Sequence, residues 1–299
     1  MNWNTIEFCP ELPPKDAVGN AVCGDVVAKL LADNLFNGST QAQCLLSARY
    51  RQMRDNYSNV PHDDSRWDLK IGTKKIKREG ADEAALLPVC QTAMPGCVPL
   101  VSQLWNHANF GHDMPTWMVK HGVKNPHRVM IISQDPLRTN QDSGKIVLST
   151  PFGFHSADYR NICCQNHTLC YLVERLLEEA NACVYLTDCM KFYTSDGFIK
   201  SRHKQFYPMF NATLQAEVTA FVPEVILTLG NVAAKFCRAR PPREGYKAQP
   251  VGGRKLIASY HTGAWAIAIK NFVTSGSVNA YFNLIFNEVY KVLKTIPIA

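Results

Sequence analysis

No stretch of this chain approaches the roughly 18 consecutive apolar residues of a membrane helix, which excludes a helical membrane protein. The start, Met1-Asn2-Trp3-Asn4-Thr5, lacks the basic-then-apolar pattern of a secretory leader. Cysteine is sparse as well: 11 in 299 residues are too few and too scattered for a disulfide scaffold, and they suit a reducing compartment. There is no internal repeat and no low-complexity tract. These absences leave a cytoplasmic, membrane-free protein as the expectation, with a monomer as its simplest state. A hydrophobic fraction of 46% supplies ample core, and the length fits one large domain or two small ones. The excess of 32 Lys and Arg over 25 Asp and Glu gives +7, a balance that favours a polyanionic partner.

Helical spacing runs through Val26, Val27, Leu30 and Leu31 and again through Leu45, Leu46, Tyr50 and Met53, with a turn at Asn37-Gly38-Ser39 between them. The Lys70, Lys74, Lys75, Lys77 and Arg78 run is a solvated loop or a phosphate contact. Residues 81 to 125 read as helical in pieces, including a short segment from Pro115 to His121. From Asn125-Pro126 onward the pattern changes. Four apolar runs, 128 to 134, 183 to 187, 225 to 229 and 255 to 260, alternate with helical stretches at 169 to 180, 210 to 221, 231 to 238 and 279 to 294. Strands alternating with helices predict a three-layer αβα domain over residues 126 to 299, built on a central four-stranded parallel sheet. Residues 1 to 125 are then a helical amino-terminal extension packed on that core.

The ends of the predicted strands carry the chemistry. Asp135 follows Ser133-Gln134 and precedes Pro136, which fixes the next backbone angle. Asp188 closes the second run and His261 the fourth. In open α/β sheets ligands bind outside the carboxyl ends of the strands, so three ionisable groups from three strands point to one site.

These residues resemble the uracil-DNA glycosylase superfamily over roughly the last 170 positions. Ser133-Gln134-Asp135-Pro136 is similar to its Gly-Gln-Asp-Pro motif, with serine in place of the glycine. Leu186-Thr187-Asp188-Cys189-Met190-Lys191 resembles the base-reading segment, which usually carries asparagine where Asp188 stands. Pro223 to Ala233 resembles a strand-turn-helix of the iron-sulfur (family 4-like) branch, and Ser259-Tyr260-His261-Thr262-Gly263 the closing His-Pro-Ser motif without its proline.

The resemblance implies a monofunctional DNA glycosylase. Asp135 would orient water and stabilise the positive charge growing on the sugar, and His261 would donate to the 2-oxo group of the leaving base. Gln134, Leu137, Phe152 and Asp188 would line the base pocket. Phe152 is the candidate stacking ring, although counting forward from Asp135 in the uracil-specific branch falls on Leu148. Thr262, Gly263 and Trp265 would form the wedge that fills the duplex after flipping. Trp265 also fits a packed helix with Ala266, Ile267 and Ile269. Phosphate contacts would come from Arg238 and Arg240, with Arg243 and Lys247 nearby.

Two departures redirect the substrate. An ionised Asp188 only accepts hydrogen bonds, which suits cytosine's exocyclic amine and repels the 4-oxo group of uracil. Leu137 stands where the uracil-specific branch has a tyrosine that crowds position 5. Together they imply a 5-substituted cytosine, such as the hydroxymethylated or glucosylated base of viral DNA, and hence antiviral defence. A protonated Asp188 would instead restore uracil repair. A salt bridge from Asp188 to Lys191 or a nearby arginine would remove it from base reading; serine for glycine at 133 and the missing proline after His261 disturb both ends of the site, which would leave a non-catalytic DNA-binding or inhibitory module. No cofactor or metal is expected. Two cysteine positions of the iron-sulfur branch hold Phe192 and Phe206, and Cys163, Cys164 and Cys170 with His155 or His167 fit no common zinc spacing.

Overall fold

The computed structural model of the protein describes residues 3–15, 21–56, 70–71, 74–75, 111–134, 147–155, 168–192, 198–240, 247–251, 254–261 and 278–296. In chain order the main elements are β1 (Ile6–Phe8), α1 (Gly24–Leu35), α2 (Thr40–Asn56), β2 (Thr116–Lys120), β3 (His127–Ser133), α3 (Thr168–Glu178), β4 (Ala182–Asp188), α4 (Phe198–Phe221), β5 (Val225–Leu229), α5 (Gly230–Phe236), β6 (Gln249–Val251), β7 (Arg254–Ser259) and α6 (Val278–Leu293). Two short ladders, Lys70–Ile71 with Lys74–Lys75 and Gly111–Asp113 with Val147–Ser149, stand outside the main sheet.

The main sheet has seven strands and is mixed, in the order β1-β2-β4-β3-β5-β7-β6. The four expected runs pair in parallel with one another. Three further strands, β1, β2 and β6, extend them at both edges, each pairing antiparallel with its neighbour. Every residue of β3 and β4 is buried, as strands with helices on both faces require. Register carries Tyr185 through Met130 and Ile226 to Leu256, three residues from Ser259, so Tyr185 and Ser259 face opposite sides. Phe221 of α4 packs on Tyr185, while Tyr281 of α6 reaches Ser259. Helices therefore cover both faces.

The segment before residue 125 is not helical throughout. It contributes α1 and α2, joined as expected where Asn37 and Gly38 take positive φ, and Ser39 Oγ accepts from Ala42 N to cap α2. It also supplies β1 and β2, so the expected short helix at Pro115 to His121 is a strand. The reason is visible in its burial: Thr116, Trp117, Met118 and Val119 are all buried, which erases the alternation that marks a strand in sequence. The amino-terminal arm is tied to the sheet by Trp117 Nε1 donating to Pro10 O and by the buried Arg128 guanidinium donating to Pro13 O and Phe221 O. Glu224 gathers Lys15, His127 and the Arg128 amide on the same flank. Among the described residues no helix is long and apolar enough to cross a membrane.

Candidate functional site

Strands β3 and β4 end level with each other, because Ser133 pairs with Asp188 in the last rung of their ladder. Neighbours in a parallel rung point to the same face, and the Ser133 hydroxyl donates to Asp188 Oδ1. Asp188 is 2% exposed and Ser133 3%. The chain then continues the seam beyond the strands: Cys189 N donates to Ser133 O at 2.9 Å and Met190 N to Gln134 O at 2.9 Å. Cys189 Sγ adds a contact to Gln134 O at 3.3 Å. The backbone at Gln134 and at Asp188 is thus held by one set of bonds.

His261 leaves the end of β7 beside Gly230, the residue that turns β5 into α5. Gly230 has φ +90°, and a Cβ placed there would come within 3.0 Å of His261 Cβ. Glycine meets both demands, positive φ and close approach. The preceding residues are fixed from α6, where the Tyr281 hydroxyl accepts from Tyr260 N at 3.2 Å and lies 3.3 Å from Ser259 Oγ.

Phe152 joins this edge from a short 3-10 turn, Pro151–Gly153, that packs against β4. Its ring centroid is 6.5 Å from that of His261, with the planes at 34°. The Phe152 backbone has φ +59°, a left-handed conformation that costs a non-glycine residue about 1–2 kcal/mol. Surrounding contacts hold it there. Gly153 N donates to Thr150 O, His155 N donates to Thr150 Oγ1, and Phe154 is buried edge-on against Trp3.

On the opposite face of β4, Lys191 and Glu217 form a buried pair. The Lys191 ammonium bonds Glu217 Oε1 at 2.6 Å and Thr187 Oγ1 at 2.8 Å. Burial pushes the Glu217 carboxyl up, and Lys191 and Thr187 pull it back. Thr187 and Asp188 are consecutive strand residues and face apart, so Lys191 is committed to the other side of the sheet and does not bridge Asp188. His112 bonds the Lys191 carbonyl at 2.6 Å through Nδ1 and lies against Phe192, tying the end of this segment to the region before residue 125.

Ser133, Gln134, Phe152, Asp188 and His261 therefore stand at one edge. Asp135, Leu137, Thr262, Gly263 and Trp265 lie outside the described residues, as do Cys163, Cys164, His167 and Arg243, and so does the Leu148 side chain. Arg238 and Arg240 are exposed and follow the far end of α5, on the order of 10 Å along the helix from Gly230. Arg240 N donates to Gln249 Oε1 there, setting both arginines back from His261. Phe192 and Phe206 are fully buried and both pack on Phe210, at 5.9 and 5.8 Å. Rings with no lone pair occupy the place where the resemblance would put thiolate ligands. Among the described residues no group of three His, Cys, Asp or Glu side chains is placed to hold a metal ion.

The spacing of the last helix marks Tyr281 as buried, which it is, but not as a hydrogen-bond partner, and the sequence does not single out His112 or Thr150. Each acts by holding a neighbour's backbone, and no motif records that. No protein-family model matches the chain, and no curated protein matches it.

Proposed function

We propose that this protein is a monofunctional DNA glycosylase that flips a 5-substituted cytosine out of the stack and hydrolyses its glycosidic bond. The observation that carries the proposal is the buried Ser133–Asp188 hydrogen bond at the sheet edge that also holds Phe152 and His261. A carboxylate in that position is an acceptor with a fixed direction, the complement of an exocyclic amine. Phe152 offers a face on which a flipped base stacks, an interaction worth about 1–3 kcal/mol.

In this reading water attacks C1′, with Asp135 orienting it and countering the positive charge that develops on the sugar. The C1′–N1 bond breaks, and its electron pair leaves with the base. His261 donates toward the base's 2-oxo group as negative charge collects there, and the departing base takes up a proton. Removing one such donor typically costs about 10²–10³ in rate. Leu137 leaves room for the 5-substituent, and Thr262, Gly263 and Trp265 fill the vacated stack. Arg238 and Arg240 would meet phosphates only if the duplex runs along the α5 flank. The protein would act as a monomer in the cytoplasm on viral DNA carrying such bases.

The test is alkaline strand cleavage of matched oligonucleotides bearing cytosine, 5-hydroxymethylcytosine, its glucosylated form or uracil. Cleavage at a modified cytosine, lost in Asp135→Asn, is the expected result. Cleavage at uracil alone, or at none of the four, overturns the proposal; the latter outcome leaves a DNA-binding module.

A further inference from the structure

We infer that Ser133 is a specificity-determining residue, whose hydroxyl holds Asp188 as a directed hydrogen-bond acceptor so that the pair accepts an amine-bearing base and rejects an oxo-bearing one. The substrate part of this inference rests on the glycosylase reading above. The coupling of the two residues does not, and it is measurable without substrate.

Ser133 and Asp188 are 55 positions apart, and each differs from the motif it resembles, which has glycine at the first place and asparagine at the second. The ladder puts them in the same rung on the same face, and the hydroxyl donates into the carboxylate. The two departures are therefore one interaction. Hydrogen bonds to charged groups are stronger than those between neutral ones, so the Ser133 proton works against the pull of burial toward the protonated form of Asp188 that would mimic asparagine. A glycine at 133 offers no side-chain donor at all. The seam from Cys189 N to Ser133 O and from Met190 N to Gln134 O keeps the two strand ends from separating, so the hydroxyl and the carboxylate stay within reach.

The experiment measures single-turnover release of 5-hydroxymethylcytosine and of uracil from matched oligonucleotides. The proteins compared are wild type, Ser133→Ala, Ser133→Thr, Asp188→Asn and the Ser133→Ala/Asp188→Asn double variant. The amine-to-oxo release ratio is expected to fall about tenfold in Ser133→Ala, the worth of one such bond, and to be kept in Ser133→Thr, which retains the hydroxyl. Ser133→Ala should change the ratio little once Asp188 is asparagine. A carbon-13 NMR titration of the Asp188 carboxyl supplies the substrate-free reading, with a midpoint higher in Ser133→Ala than in wild type. An unchanged ratio in a wild-type-active background, or an unchanged midpoint, overturns this inference alone. A wild type inert on every oligonucleotide overturns the glycosylase reading and the specificity role with it.

Discussion

Replacing Lys191 with methionine removes the cation from a pair whose side chains are 1% and 0% exposed and whose charged atoms are 2.6 Å apart. Breaking one side of a buried pair costs about 3–5 kcal/mol, because the remaining charge is left in a poorly polarisable interior. Glu217 has an escape, which is to take a proton. From its ordinary value of 4.5, protonation at pH 7 costs about 3.4 kcal/mol, and at pH 5 only about 0.7. The penalty of Lys191→Met should therefore shrink between pH 7 and pH 5, by at most roughly 2.7 kcal/mol, the figure for a wild type whose Glu217 stays ionised throughout. The sign follows from the raised carboxyl: its contribution is present at low pH and is lost as pH rises through the folded value. Urea unfolding of wild type and variant at pH 5 and pH 7, followed by circular dichroism, measures the difference directly. Replacing both partners, Lys191→Met with Glu217→Leu, should recover most of the loss at pH 7. A penalty below about 1 kcal/mol, or one equal at the two pH values, would refute the buried-pair reasoning.

Phe152→Gly relieves the left-handed backbone by about 1 kcal/mol but strips a half-buried ring from the core, so stability should move by no more than about 1 kcal/mol either way, while base release falls about 5- to 150-fold with the stacking face gone; thermal unfolding and single-turnover kinetics check the two halves. Gly230→Ala meets both the φ of +90° and the 3.0 Å approach to His261. It should cost more than about 1 kcal/mol in urea unfolding and lower base release at saturating DNA. Arg128→Met deletes the donors to Phe221 O and Pro13 O from a buried site. It should cost roughly 3 kcal/mol and speed hydrogen exchange in the amino-terminal arm before the rest of the sheet.

The parallel part of the fold was legible because its strands are long apolar runs stopped by turn residues, as at Val225–Leu229 between Pro223-Glu224 and Gly230. The edges were not. Strands of three residues such as β1 and β6 carry too few positions to show a period, and Thr116–Lys120 is buried without alternation. Helix α4 was expected to begin after Pro208; it runs through the proline, with Phe206 and Phe210 stacked across it. At the site, single residues were visible as motif members, but their coupling was not. That Ser133 and Asp188 share a rung is a fact of register, and that Phe152 is left-handed over a Trp3–Phe154 contact is a fact of packing. A salt bridge from Asp188 to Lys191 was one alternative; strand alternation sends Lys191 to Glu217 instead.

The most direct measurement is mass spectrometric identification of the free base released from duplex DNA that carries uracil and 5-hydroxymethylcytosine in equal amounts. If Asp188 reads the base as proposed, the modified cytosine is released and an abasic site is left, and Asp188→Asn turns the preference toward uracil. Uracil as the only free base from the wild-type protein, or no free base at all, would contradict it.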